Sequence, residues 1–107
     1  QFMKIKLPNY NITALRMSTT YLDCHLHNIS KEETISWMRL GDNQILSIGD
    51  FKFIEDPRIT IINQPKYQNS KLKIRYINKD DEGFYECQFT TEIDKIGLIF
   101  NLTVVSG

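Results

Sequence analysis

Two cysteines far apart in the chain, with the only tryptophan between them, constrain this sequence more than any other feature. Cys24 sits in Tyr21-Leu22-Asp23-Cys24-His25-Leu26, where apolar and polar residues alternate as in a half-buried strand. Cys87 sits in Gly83-Phe84-Tyr85-Glu86-Cys87-Gln88-Phe89, and Trp37 in Thr34-Ile35-Ser36-Trp37-Met38-Arg39. A Cys, then a Trp, then a Tyr-x-Cys on strand-like segments describes two sheets joined by a disulfide that packs on an indole. Two lone cysteines in a reducing compartment would more often be free thiols. These flanks instead predict a Cys24–Cys87 bridge and an extracellular setting. On the chain-entropy model, closing a loop of about 60 residues contributes on the order of 4 kcal/mol. His25 and His27 stand near Cys24, but no second cysteine lies at ligand spacing, so both read as strand residues. No metal site and no cofactor are expected.

The rest of the chain reads as short strands between turns. Segments 11–14 and 19–27 fit strands A′ and B, 35–40 fits C, 45–48 fits C′, and 51–53 fits a short C″. Segments 59–63, 72–76, 84–91 and 98–105 fit D, E, F and G. Breakers fall between them at Gly41-Asp42-Asn43, Gly49-Asp50, Asp56-Pro57, Asn63-Gln64-Pro65, Asn78-Lys79-Asp80-Asp81 and Gly97. No helical periodicity persists. The stretch between Trp37 and Arg58 has room for both C′ and C″, which favours the nine-strand variable type of immunoglobulin sandwich over the seven-strand constant type. The expected fold is therefore all-β: a V-type immunoglobulin sandwich of two antiparallel sheets. Its 107 residues match the roughly 100 of one such sandwich, so 1–107 is expected to be a single domain.

Charge and pattern exclude several functions. Thirteen basic residues balance 13 acidic ones, so the basic excess that displaces counterions from nucleic acid is absent. No apolar run approaches the ~18 to 20 residues of a membrane span. The chain opens on Gln1-Phe2-Met3-Lys4 without an apolar signal region, which implies a secretion signal already removed. Neither a Gly-x-Ser-x-Gly elbow nor a phosphate loop appears, and Asp80, Asp81 and Glu82 cluster at a turn, so no enzyme is expected. Tyr85, two before Cys87, is placed to be a tyrosine corner that ties the loop before strand F to upstream backbone. Arg58 at the start of D and Asp81 before F are expected to pair across one end of the sandwich.

Beyond these marks the chain resembles one family in particular. Ile35-Ser36-Trp37-Met38-Arg39, Ile45-Leu46-Ser47-Ile48-Gly49, Asp56-Pro57-Arg58 and Gln64-Pro65 are similar to the first immunoglobulin domain of the Dpr (defective proboscis extension response) receptors of invertebrate neurons. The likeness is strongest in Leu72-Lys73-Ile74-Arg75-Tyr76 and in Gly83 to Glu92, and it extends to Asn11-Ile12-Thr13-Ala14-Leu15, Thr20-Tyr21-Leu22-Asp23-Cys24 and Val104-Val105. Arg16-Met17 departs from it where a glycine is usual, and Met38 departs where a β-branched residue is common. The resemblance implies heterophilic adhesion at a neuronal cell surface. Dpr first domains bind first domains of Dpr-interacting proteins (DIPs) face to face, through strands G, F, C, C′ and C″, and some relatives pair with themselves. The two alternatives are a homophilic adhesion domain and an immune-type variable domain that binds through its loops.

Side-chain alternation gives that sheet an outer face. If Trp37, Tyr85 and Cys87 point inward, then Ser36, Met38 and Leu40 point outward from C, and Glu86, Gln88 and Thr90 from F. With Leu102 and Val104 inward, Ile99, Asn101 and Thr103 point outward from G. Ile48 and Phe51 are expected to join them, with Ile45 and Leu46 both candidates because alternation alone does not fix the parity of C′. An apolar patch of Met38, Leu40, Ile99 and these C′–C″ residues around polar Gln88 has the composition of a protein-binding surface.

Three N-glycosylation sequons occur, at Asn11-Ile12-Thr13, Asn28-Ile29-Ser30 and Asn101-Leu102-Thr103. Asn11 and Asn28 fall on A′ and the B–C loop, where a glycan is tolerable. Asn101 is expected near Gln88 on the binding face, unmodified, with its amide on the partner or on Gln88.

Overall fold

The computed structural model describes residues 3–6, 9–25, 34–64, 69–90 and 94–107, with the side chains of 3–6, 90 and 94 left aside. His27, the Asn28 sequon and Pro65 lie outside the described residues. Ten strands occur among the described residues: β1 (Met3–Lys6), β2 (Tyr10–Leu15), β3 (Thr20–His25), β4 (Ile35–Arg39), β5 (Gln44–Ile48), β6 (Phe51–Lys52), β7 (Ile59–Gln64), β8 (Asn69–Ile74), β9 (Gly83–Thr90) and β10 (Asp94–Val105). One sheet runs β1-β10-β9-β4-β5-β6, with β2 also on β10; the other runs β3-β8-β7. Pairing is antiparallel except where β1 and β2 run parallel to β10.

The expected strands are present, but several bounds differ and one strand is new. β1 was not expected; it adds to the amino-terminal half of β10 in the register Met3↔Asp94 to Lys6↔Gly97. β10 begins at Asp94 rather than at 98, which lengthens the F–G pairing. β8 ends at Ile74, short of 76, because Tyr76 sits at φ +48°, a left-handed conformation that cannot continue a strand.

Inward-facing residues of both sheets make one core. Leu22 and Cys24 of β3, Trp37 of β4, Leu72 and Ile74 of β8, Tyr85 and Cys87 of β9, and Leu102 of β10 are all buried. Cys24 and Cys87 are disulfide-bonded across it, Cα to Cα 6.3 Å. Trp37 packs on Phe100 with ring centroids 5.6 Å apart. Its indole N–H, which burial would otherwise strand without water, donates to Ser70 Oγ at 2.8 Å. The Ser70 hydroxyl donates onward to Asn63 Oδ1 at 2.6 Å, and Asn63 Nδ2 donates to the Gly49 carbonyl at 2.9 Å. A chain of polar contacts thus runs from the core to the β5–β6 turn.

The opposite end is closed by Arg58. Its guanidinium donates to both carboxylate oxygens of Asp81, at 2.8 and 2.9 Å, and to Asp56 Oδ2 at 3.0 Å. Hydrogen bonding to Asp81 raises the Arg58 pKa above its ordinary value. Burial alone would raise the Asp56 carboxyl, but the Arg58 backbone N–H and guanidinium outweigh it and hold that carboxyl below its usual range. The Tyr85 hydroxyl donates to the Asp81 carbonyl at 2.6 Å, completing a tyrosine corner. Burial first, then the nearby Asp81 charge, pushes the Tyr85 phenol up to about 12.

Candidate protein-binding face

The outer face of the larger sheet is built by cross-strand pairing from β10 to β6. Met38 lies opposite Glu86, which lies opposite Ile99; Ser36 lies opposite Gln88, which lies opposite Gly97. Gln88 Nε2 donates to Met38 Sδ at 3.2 Å, which fixes both side chains on the same side of the sheet. On the far side of β4, Met38 pairs with Ile45 and Ser36 with Ile48. Ile45 and Ile48 are three residues apart, so strict alternation would send them to opposite faces. The register shifts between Trp37 and Met38, a β-bulge in which Leu46 is the extra residue. The bulge turns Leu46 and Ser47 inward together and leaves Ile45 and Ile48 both outward.

Leu46 is therefore a core residue at 0% exposure and not part of the outer face. That corrects its expected role as a partner-binding residue. Asn101 is also corrected in position. It does point outward, but it pairs with Phe84 and with Asn11, while the residue opposite Gln88 is Gly97. Four residues of β10 separate the two rows, about 13 Å at strand rise. The shift follows from the F–G register, which is set by a β10 that begins at Asp94. No Asn101–Gln88 contact forms at that distance.

The remaining candidates fall as follows. Ile45, Ile48 and Phe51 are exposed at 41%, 43% and 64%. Met38, Gln88 and Ile99 are half-buried in the middle of the sheet. Leu40 is half-buried in the turn after β4, its N–H donating to the Phe84 carbonyl. Thr90 ends β9 in the expected strand, and its side chain lies outside the described set. Two features escaped the sequence. Phe53, 48% exposed, packs its ring 4.7 Å from that of Phe51 and extends the apolar strip past β6. Its signal was the Phe-x-Phe spacing in 51–53. Glu86 faces outward by parity yet is only 2% exposed, because its carboxylate fills the space over Gly97 where a side chain would stand.

The other sheet's outer face is of opposite character. Tyr21 pairs with Lys73 and Asp23 with Lys71, and both members of each pair point away from the core. Lys73 Nζ lies 5.8 Å over the Tyr21 ring, and Asn69 donates to the Asp23 carboxylate. Solvation satisfies such a face. A run of Met38, Ile45, Ile48, Phe51 and Phe53 is not satisfied by water. Among the described residues, no group of three or more His, Cys, Asp or Glu could hold a metal, and no helix is long and apolar enough to cross a membrane.

Comparison with known proteins gives the family. The immunoglobulin V-set domain model matches residues 8–105. The Dpr11 first immunoglobulin domain, solved bound to DIP-gamma, is 35% identical with a TM-score of 0.81, covering 92% of this chain and 100% of that one. The Dpr1 first domain, solved bound to the DIP-eta first domain, is 31% identical with a TM-score of 0.81, covering 92% and 91%. A two-domain Dpr2 chain, in complex with DIP-Theta, is 31% identical with a TM-score of 0.83, covering 91% of this chain and 43% of that one. A search of curated proteins gave no significant match. Matched by the V-set model over nearly all its length, and 35% identical to a Dpr first domain that it covers in full, the chain belongs to the immunoglobulin V-set family, within the Dpr first-domain group.

Proposed function

We propose that this domain is an extracellular recognition module that binds another immunoglobulin domain, of the DIP first-domain type, through the outer face of β10, β9, β4, β5 and β6. The observation that carries the reading is the asymmetry of the two outer faces. One presents Tyr21, Asp23, Lys71 and Lys73, while the other presents Met38, Ile45, Ile48, Phe51 and Phe53. An exposed apolar strip with polar Gln88 beside it has the make-up of an interface core with an orienting hydrogen-bond group. The Dpr11, Dpr1 and Dpr2 structures support the same class of partner, since each of the three was solved with a DIP chain. Binding, not catalysis, is the activity proposed, and its biological setting is cell-to-cell partner choice of the neuronal kind.

The test is a pairwise binding screen of the secreted domain against DIP first domains, with the domain itself among the candidates. Saturable binding to at least one DIP first domain supports the reading. Self-binding alone, followed by sedimentation across concentrations, would replace it with homophilic adhesion. Binding to neither would reject the proposed partner class.

A further inference from the structure

Two of the three sequons lie side by side. β2 and β10 run parallel in the register Asn11↔Asn101, Ile12↔Leu102 and Thr13↔Thr103. Leu102 is buried and Ile12 packs partly against the core, so both Asn-x-Thr motifs turn their asparagine and threonine outward on the same face. Asn11, Thr13 and Thr103 are exposed, whereas Asn101 is half-buried between Asn11 on one side and Phe84 on the other. Among the described residues β2 pairs only with β10, so Asn11 stands on a sheet edge with solvent beyond it.

We propose that Asn11 and Asn101 form one N-glycosylation position, which carries a single glycan, on Asn11. The acceptor is the side-chain amide nitrogen. It forms a bond to the anomeric carbon of an oligosaccharide and loses a proton, while the bond from that carbon to a lipid pyrophosphate donor breaks and the lipid pyrophosphate leaves. Transfer acts on the chain before it folds, so both asparagines can be reached. Folding then brings the two acceptors onto neighbouring strands about 4.8 Å apart. Two N-acetylated pyranose rings with their hydration do not fit abreast at that spacing, and a doubly modified chain is selected against as the sheet closes. Asn11 is the member that folding tolerates, because its amide has the open edge on one side. A sugar on Asn101 would have to displace Asn11 and the Phe84 ring.

A glycan on Asn11 has two consequences. It covers the free backbone edge of β2, which would otherwise offer unpaired groups to another strand. It also stands four strand spacings from β5, about 19 Å, and so leaves the apolar strip clear. This second consequence rests on the proposed binding face; the occupancy claim does not.

The test is peptide mapping with intact mass on the domain secreted from animal cells, in a Ser30→Ala background so that Asn28 contributes no glycan. The expected result is one glycan per molecule, on Asn11, with Asn101 bare. Thr103→Ala should leave the glycan count unchanged. Molecules with both sites occupied, molecules with Asn11 bare, or loss of a glycan in Thr103→Ala would each overturn the proposal. Mass is read without a partner, so failure of the binding reading would leave this result intact, and the reverse holds as well.

Discussion

Trp37 Nε1 donates to Ser70 Oγ at 2.8 Å, and that bond joins the two sheets beside the disulfide. Ser70 is wholly buried and also donates to half-buried Asn63, so its hydroxyl serves two partners at once. Ser70→Ala removes an acceptor from a buried N–H and a donor from a half-buried amide oxygen. The expected loss is about 1 to 3 kcal/mol, since each stranded group carries its own desolvation penalty. Urea unfolding checks it, with a lower midpoint at unchanged slope.

Alkaline stability should be governed by Tyr85. The phenol is pushed up to about 12 in the folded domain, chiefly by burial, against about 10 in an unfolded chain. Between those values the folded state holds a proton that the unfolded state has lost. The stabilisation is therefore complete below pH 10 and falls as pH rises toward 12, by roughly 1.4 kcal/mol per unit. Tyr85→Phe loses the hydroxyl bond to Asp81, and so should be less stable at neutral pH by about 1 kcal/mol. It should also lose the steep decline above pH 10. Unfolding midpoints of both proteins from pH 8 to 12 measure the difference.

Met17 is held at φ +73° in the turn between β2 and β3, with its N–H donating to the Ile77 carbonyl. A left-handed conformation costs a side-chain-bearing residue about 1 to 2 kcal/mol. Glycine removes that strain but carries more entropy in the unfolded chain, of about 0.5 to 1 kcal/mol. Met17→Gly should therefore raise stability by a net ~0.5 to 1 kcal/mol, visible as a higher Tm. Its side chain is exposed, so no packing is lost.

Gly97 makes room for Glu86. A Cβ on Gly97 would stand 2.6 Å from Glu86 Oε2 and 3.1 Å from its Cδ, inside contact distance of a buried carboxylate. Gly97→Ala should cost about 1 to 3 kcal/mol of stability as an overpacked site. It should also weaken partner binding, because Glu86 must shift within the proposed face. Gly41→Ala, whose Cβ meets nothing within 4 Å, should stay within about 0.5 kcal/mol of the unaltered domain. Chemical denaturation of both variants, with partner titration, checks the pair.

How much of this was legible in the chain varied with the range of the interaction. Cys24, Trp37, Tyr85 and Cys87 are strand residues whose alternation and spacing specify a core, and the Arg58–Asp81 pair follows from the fold type. The C′ strand was legible as a strand but not in its facing. A β-bulge at Leu46 adds one residue against Trp37, and no local pattern distinguishes a bulged Ile-Leu-Ser-Ile from a regular one. Asn101 was read on the correct face and in the wrong row. Parity follows from period two, whereas register depends on where the F–G hairpin turns, and β10 begins four residues earlier than the apolar run suggested. β1 escaped because its pairing is wholly non-local: four residues at the start of the chain add to Asp94–Gly97. The buried position of Glu86 escaped because it depends on a glycine across the strand, not on its own flanks.

The face itself is tested most directly by titrating Ile48→Asp against the DIP first domain that the unaltered domain binds. Ile48 is exposed, so folding and Tm should be unaffected, and Tyr21→Ser on the other sheet serves as the matched control. A carboxylate desolvated at an apolar interface costs about 2 kcal/mol or more, so Kd should rise at least ~30-fold for Ile48→Asp and not measurably for Tyr21→Ser. Unchanged affinity in Ile48→Asp, or equal loss in both variants, would contradict binding through this sheet.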